Sequence, residues 1–254
     1  MPDALIRSWK ELTRLWKRPA PLPALRPGPP LIILGMHRSG TSFLTGSLQL
    51  AGLELGPHNQ AARHNKKGNR ENPEIVAFHE EVLAARGALW RRAPDEDILW
   101  TPEEEVRARA LVASYDGGAH WGFKDPRSLL MIDEWQRICP QAGLIGIFRN
   151  PMAVTQSLLT RGMEITEAEA HALWKRTNEA LLRLHRAAPF PLFCFDESAR
   201  TLHRKLNAVL PRLGLNPLKR EVFFSPDLKH HTESSRSIPP DLRDLYDALQ
   251  ALQC

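Results

Sequence analysis

Leu31-Ile32-Ile33-Leu34-Gly35-Met36-His37-Arg38-Ser39-Gly40-Thr41-Ser42 is the stretch whose reading decides the fold. Its first four residues are a short apolar run with two β-branched members, the pattern of a buried strand. Gly35 and Gly40 bracket a loop in which backbone N–H groups can converge on one point. A helical pattern follows at once, with Phe43, Leu44, Ser47, Leu48, Leu50 and Ala51 on its apolar side and Gly52 closing it. Strand, glycine-bounded loop and helix N-terminus in succession make an anion site, because the unsatisfied N–H groups and the positive end of the helix dipole meet there.

The loop is similar to the nucleotide-binding P-loop with one decisive departure. The Walker pattern places Lys and then Ser or Thr after its second glycine. Here Gly40 is followed by Thr41 and Ser42, and the basic residue, Arg38, lies inside the loop. The usual lysine contact of an NTPase with the terminal phosphates is therefore missing. A glycine-rich turn that merely joins strand to helix is the plain alternative, but Arg38 and the hydroxyls of Ser39, Thr41 and Ser42 argue for a phosphate ligand.

Outward from this stretch, strands and helices alternate. His120 to Lys124 reads as a second strand, Leu144 to Phe148 as a third and Pro191 to Phe195 as a fourth. The third is apolar throughout, as central parallel strands are. Asn72 and Pro73 open a helix after the first loop, Thr101 and Pro102 open another that Gly117 and Gly118 end, and Ser128 to Ile138 reads as a helix behind the second strand. Asn150 and Pro151 start a helix that stops near Gly162, and Thr166 to Glu169 is a capping box for one running to about His185. A helix with Leu202, Leu206, Val209 and Leu210 is kinked or ended by Pro211, and the tail from Pro239 carries Leu242, Leu245, Tyr246 and Leu249 at helical spacing. The whole predicts an α/β, P-loop-type three-layer fold with a largely parallel central sheet flanked by helices. Ligands of such sheets bind beyond the carboxyl ends of the strands. That rule gathers Arg38, Lys124 and Arg149 at one edge.

The flanks are of a different character. Residues 1–18 put Leu5, Ile6, Trp9, Leu12, Leu15 and Trp16 on one helical face and Arg7, Lys10, Arg14, Lys17 and Arg18 on the other. A helix of this kind packs on its own domain, or contacts a membrane surface or a partner. Pro19, Pro21, Pro23, Pro27, Pro29 and Pro30 form a stiff linker, so residues 1–30 are read as an appendage and 31–254 as a single domain. Residues 53–70 are polar and read as a surface loop.

The chain has 254 residues, a net charge of +5 and 43% hydrophobic residues, enough for one large α/β core. Its basicity suits an anionic ligand; no nucleic-acid module appears among the basic residues, so no nucleic-acid partner is expected. No apolar run is long enough to span a bilayer and no signal-peptide pattern opens the chain. Three scattered cysteines give neither a disulfide framework nor a metal spacing, which makes a cytoplasmic setting and an absence of bound metal the expectations.

The pattern G-x-x-R-S-G-T-S of Gly35 to Ser42 resembles the 5′-phosphosulfate loop of the sulfotransferases that use 3′-phosphoadenosine 5′-phosphosulfate (PAPS). Two further blocks carry the likeness. Phe123-Lys124-Asp125-Pro126-Arg127 is similar to the Lys-Asp-Pro segment of tyrosylprotein and many bacterial sulfotransferases. Ile147-Phe148-Arg149-Asn150-Pro151, with Ser157 eight residues after Arg149, is similar to the family's 3′-phosphate block. Phe195-Asp196-Glu197 and Leu213-Gly214-Leu215 are weaker matches. The resemblance implies that Gly35, His37, Arg38, Ser39, Gly40, Thr41 and Ser42 hold the 5′ end of PAPS. Arg149 and Ser157, with Arg161 beyond, would hold its 3′-phosphate. It further implies that Arg38 and Lys124 stabilise the leaving bisphosphate. The third strand ends in Arg149 rather than in a Walker-B-type Asp for magnesium, and sulfuryl transfer does not require that metal, because the moving group carries less charge than a phosphoryl.

A base must take the acceptor's proton. Lys67-Gly68-Asn69-Arg70-Glu71-Asn72 is similar to a block of bacterial relatives with an acidic residue before the next helix, which makes Glu71 the first choice, with His37 and His58 as alternatives; a solvated loop carboxylate is the plain reading of Glu71. The Lys-x-His arrangement and the late Arg-Lys-Gly motif of the cytosolic enzymes are absent. A kinase-like NTPase and a binding protein without turnover are the competing readings. The acceptor hydroxyl or amine belongs to a small molecule, carbohydrate or peptide, chosen by residues 53–70, 86–101 and the C-terminal tail.

Overall fold

The computed structural model describes residues 29–59, 68–115, 120–160, 164–219 and 237–254. The expected N-terminal helix and the linker up to residue 28 lie outside them, as do Lys67, Gly117, Gly118, Arg161 and Gly162.

Four parallel strands form the sheet: β1 (Leu31–Leu34), β2 (Gly122–Lys124), β3 (Gly143–Phe148) and β4 (Leu192–Cys194), in the order β2-β1-β3-β4. Alternation of side chains along β1 decides what each face of the sheet buries. Leu31 and Ile33 face a cluster with Phe43, Leu44 and Leu48 of α1 (Thr41–Leu50) and Leu202, Leu206 and Val209 of α7 (Ala199–Val209). Ile32 and Leu34 face the larger cluster on the other side. That cluster draws on α2 (Pro73–Ala84), α3 (Pro102–Ala113), α4 (Ile132–Ile138), α5 (Pro151–Leu159), α6 (Glu167–Ala187) and α8 (Pro240–Leu252). Helices thus cover both faces of a parallel sheet, the expected three layers.

The helix starts follow from their capping chemistry. Asn72 accepts from Glu74 N at 2.9 Å at the head of α2, and Thr101 forms a full capping box with Glu104 at the head of α3. Asn150 accepts from both Met152 N and Ala153 N ahead of Pro151, and the capping box of Thr166 with Glu169 opens α6.

Two expectations need correction. Ser128 to Ile138 is not one helix. Asp125 accepts from Arg127 N and Pro126 opens a 3₁₀ turn, Pro126–Leu130; Met131 then leaves helical geometry at φ −140° before α4 begins. Residues 53–70 are not wholly a surface loop: Leu53 and Leu55 are buried, and Glu54 pairs in parallel with Trp121. As expected, the helix with Leu206 ends just ahead of Pro211, at Val209; Pro211 lies in a 3₁₀ turn, Leu210–Leu213, that Gly214 closes at φ 70°.

Candidate functional site

The strand order reverses direction at β1. The chain passes from β1 to β2 on one side, then crosses to β3 on the other. The crevice beyond the carboxyl ends of β1 and β3 is therefore the place where such a sheet binds ligands. Residues 35–40 leave β1 there, and Arg149 leaves β3.

Glycine is required at both ends of this loop. A Cβ on Gly35 would lie 2.5 Å from the Ile147 carbonyl oxygen, inside van der Waals contact with β3. Gly40 has φ +90°, and a Cβ there would meet the Phe195 ring at 2.3 Å. Arg38 also has positive φ, 69°, a conformation that costs a non-glycine residue energy and collects at functional sites. Ser39 is fully buried, and its hydroxyl has no hydrogen-bond partner.

Arg38 and Ser157 meet: Arg38 Nε donates to Ser157 Oγ at 2.9 Å. Arg149 Nη1 donates to the Arg38 carbonyl at 3.3 Å. The sequence resemblance gives the 5′ end and the 3′-phosphate separate residues, after β1 and after β3; the structure links those residues directly through these contacts. Arg149 is held from several sides. Its guanidinium lies 5.3 Å from the Phe195 ring centroid, its Nε is 3.7 Å from Asp196 Oδ1, and its carbonyl accepts from Trp174 Nε1 at 3.0 Å. Burial lowers its pKa from the ordinary arginine value while Asp196 opposes that. Asp196 Oδ2 also accepts from Asn150 N at 2.6 Å and from Tyr246 Oη at 3.0 Å, so one carboxylate links β3, β4 and α8 behind Arg149. The weak sequence match at Phe195-Asp196 was the signal for this hub; nothing in the sequence pairs it with Tyr246.

On the other side of the loop, Lys124 is in register with Ile33. Its ammonium donates to Glu71 Oε1 at 2.7 Å; the lysine side chain is 1% exposed and the glutamate side chain 14%. Burial lowers the lysine's pKa, with Glu71 and Asp125 working against that. His37 stacks on Trp90, ring centroids 4.0 Å apart and 26° from parallel. The residue as a whole is half-buried; desolvation first, and then the charges of Arg127, Lys124 and Arg38, hold the imidazole well below its ordinary value despite Asp125. At neutral pH His37 is therefore uncharged. Trp90 lies in the 86–101 segment that sequence reasoning assigned to the acceptor, but its contact with the loop carries no sequence signal.

The other expected residues have these places. Ser42 Oγ donates to the Asn69 carbonyl at 3.4 Å, tying α1 to the segment before Glu71. His58 contacts Gln49 and the Gly56 carbonyl. Gln49 lies eight residues along α1 from Thr41, about 12 Å at 1.5 Å per residue, so His58 sits at the far end of the helix rather than at the loop. Arg161 lies outside the described residues. Thr41 is buried in the first turn of α1. Among the described residues no group of three or more His, Cys, Asp or Glu is disposed to hold a metal ion, and no helix is long and apolar enough to cross a membrane.

Fold and site together define an α/β protein whose ligand edge, at the carboxyl end of a parallel sheet, is lined by a glycine-bounded loop, two arginines and a buried lysine–glutamate pair. The Sulfotransferase family model matches residues 29–215, and the chain belongs to that family. Its activity class is sulfuryl transfer. The sulfotransferase domain from the Synechococcus PCC 7002 olefin synthase is similar over 91% of this chain and 96% of that chain, at 19% identity and a TM-score of 0.50, a likeness of fold. A sulfotransferase from Mycobacterium avium is similar over 98% of this chain and 78% of its own, at 18% identity and a TM-score of 0.47. No curated protein matches the chain.

Proposed function

We propose that the protein transfers the sulfuryl group of PAPS to a hydroxyl or amine of a small-molecule, carbohydrate or peptide acceptor, and that residues 31–254 act as one catalytic domain with 1–30 as an appendage. The observation that carries this reading is the Lys124–Glu71 pair, a buried cation against a carboxylate at the strand end beside the loop.

The residues fit the donor. Ser39 offers a buried hydroxyl without a partner, the loop offers backbone N–H groups and the head of α1, and Arg38, Arg149 and Ser157 offer cationic and hydroxyl groups that already converge. PAPS supplies an activated sulfuryl group on the 5′-phosphate and a second phosphate at the 3′ position. Arg149 and Ser157 would hold the 3′-phosphate, the arginine by a planar fork. Gly35 to Ser42 would hold the 5′ end.

Glu71 would take the proton as the acceptor oxygen or nitrogen attacks sulfur. The new bond to sulfur forms as the bond from sulfur to the 5′-phosphate oxygen breaks, and adenosine 3′,5′-bisphosphate departs with that electron pair. Lys124 and Arg38 would stabilise the charge that develops on the departing oxygen; fixed cations in a dry site act strongly on such charge. The lysine also holds its carboxylate partner in place through the 2.7 Å ion pair. His37, uncharged under Trp90, would shape the wall on the acceptor side. The direct test is turnover by Glu71→Gln. The amide still accepts a hydrogen bond from Lys124, so the fold and the bisphosphate affinity should persist while transfer is lost. Transfer at the wild-type rate would remove Glu71 from the chemistry.

A further inference from the structure

His79 lies in the middle of α2, wholly buried, and takes no part in the chemistry above. Its two ring nitrogens are both engaged. Trp135 Nε1 contacts His79 Nε2 at 2.9 Å, and His79 Nδ1 lies 2.9 Å from Asp125 Oδ2. An indole nitrogen only donates. Nε2 must therefore accept, so the proton sits on Nδ1 and is donated to Asp125. The other carboxylate oxygen of Asp125 accepts from Arg127 N at 3.0 Å and from Arg127 Nη1 at 2.9 Å, and Arg127 Nη2 reaches Glu80 Oε1 at 2.7 Å. Burial opposes ionisation of Asp125, but the bond from His79 and the charge of Arg127 outweigh it and hold the carboxyl well below its usual range.

These bonds connect two stretches of chain three times. Glu71 pairs with Lys124, His79 with Asp125, and Glu80 with Arg127. One stretch is α2 and the residues just before it; the other is the end of β2 and the turn after it. The first pair is the only one of the three at the reacting atoms, and it has to loosen when Glu71 takes a proton and Lys124 turns to the departing oxygen. The third ends on a glutamate whose side chain is 54% exposed, and exposed ion pairs hold little. The second is dry and walled by aromatic rings: Phe78 is 5.7 Å from His79, and Trp135 lies edge-on to it at 5.6 Å.

We propose that His79 is a positioning residue: its Nδ1–H bond to Asp125 fixes α2 on the end of β2 and so keeps Glu71 and Lys124 in register while their own pair opens. This rests on the roles given to Glu71 and Lys124 above, but the juxtaposition can be tested without turnover. Two variants separate the two bonds of the ring. In His79→Asn the amide nitrogen takes the place of Nδ1 and still donates to Asp125, while the partner of Trp135 is lost. In His79→Gln the amide lies at the position of Nε2 and still accepts from Trp135, while the donor to Asp125 is lost.

The readout is the rate at which each lysine is dimethylated by formaldehyde and cyanoborohydride, resolved by peptide mass spectrometry. Lys205 and Lys175 in the same chain serve as internal references. A buried amine reacts only through local opening, so loss of a hydrogen bond to a charged group in the clamp should raise labelling of Lys124 in His79→Gln by about tenfold relative to Lys205. His79→Asn should leave that ratio within about twofold of wild type. The proposal is overturned if the ratio is unchanged in His79→Gln, if both variants raise it alike, or if all lysines speed up together, which would make His79 a general core residue. Calorimetric titration with adenosine 3′,5′-bisphosphate is run on the same samples. Failure of the wild-type protein to bind it would count against the donor reading and leave the labelling result to decide the clamp on its own.

Discussion

Arg149 is the residue on which donor binding should depend most simply. It is buried, its fork is held by Asp196 and Phe195, and it reaches the loop through the Arg38 carbonyl. Arg149→Ala removes a charge-assisted contact and should weaken binding of adenosine 3′,5′-bisphosphate by about tenfold or more; an affinity within error of wild type in a calorimetric titration would take the 3′-phosphate away from this arginine. Lys124 makes a prediction in pH. Its pKa is depressed from the ordinary 10.5, chiefly by burial. The ammonium is present below that depressed value and is lost as pH rises through it. Activity should therefore fall on the alkaline side before an ordinary lysine titrates, and Lys124→Arg should move that limb upward in the pH–rate profile, since a guanidinium does not deprotonate in this range. A limb in the same place for both proteins would assign it to another group. The sequence made Glu71 and Lys124 candidates one at a time, through separate blocks 53 residues apart. That they form one pair was not legible, because nothing in either block encodes the pairing of α2 with the end of β2.

At the scale of elements, the loop and its two glycines were legible and their partners were not. The φ values of Gly35 and Gly40 follow from a tight turn between strand and helix, but the ring that packs on Gly40 comes from Phe195, beyond β4. Gly40→Ala therefore faces two penalties, a strained φ and a clash with an aromatic ring. It should lower the unfolding midpoint and abolish bisphosphate binding, and a stable variant with full affinity would show that the loop tolerates another shape. Asn150 was legible as a cap because Asn before Pro is a local signal. Replacing it with Ala leaves two N–H groups of α5 without their acceptor and should cost about 1 kcal/mol in denaturant unfolding; Ser157 rides on the same helix, so the bisphosphate affinity should fall as well. The break at Met131 was missed for an equally local reason. The apolar spacing of Leu129 to Ile138 is helical, yet Asp125 and Pro126 set up a 3₁₀ turn first, and its offset of three residues does not pass smoothly into an α-helix.

For the molecule as a whole, the alternation of strands and helices sufficed to give the parallel sheet, and the strand-end rule sufficed to gather Arg38, Lys124 and Arg149. The long-range contacts around them escaped: Arg38 with Ser157, Asp196 with Tyr246, and His37 with Trp90. They join residues distant in sequence, and periodicity carries no information about them. His37 also contributes to the acid sensitivity of the molecule. Burial and the surrounding cations hold its folded pKa well below 6.5, so between that value and 6.5 the unfolded chain binds a proton that the folded chain refuses. Stability is then fully present above 6.5 and lost as pH falls through this window. His37→Asn should lose less stability than wild type on acidification, measured as the shift of the urea midpoint with pH; parallel shifts would show that the His37 ring is solvated.

The central claim, a site for a nucleotide with phosphates at both ends, is tested most directly by calorimetric titration of the protein with adenosine 3′,5′-bisphosphate, and with ATP beside it, in the absence and then the presence of Mg²⁺. Two strand ends joined through Arg38, each proposed to hold one phosphate, predict tight, metal-independent binding of the bisphosphate and much weaker binding of ATP. Binding of ATP only with Mg²⁺, and none of the bisphosphate, would contradict the account and make the loop that of a kinase-like enzyme.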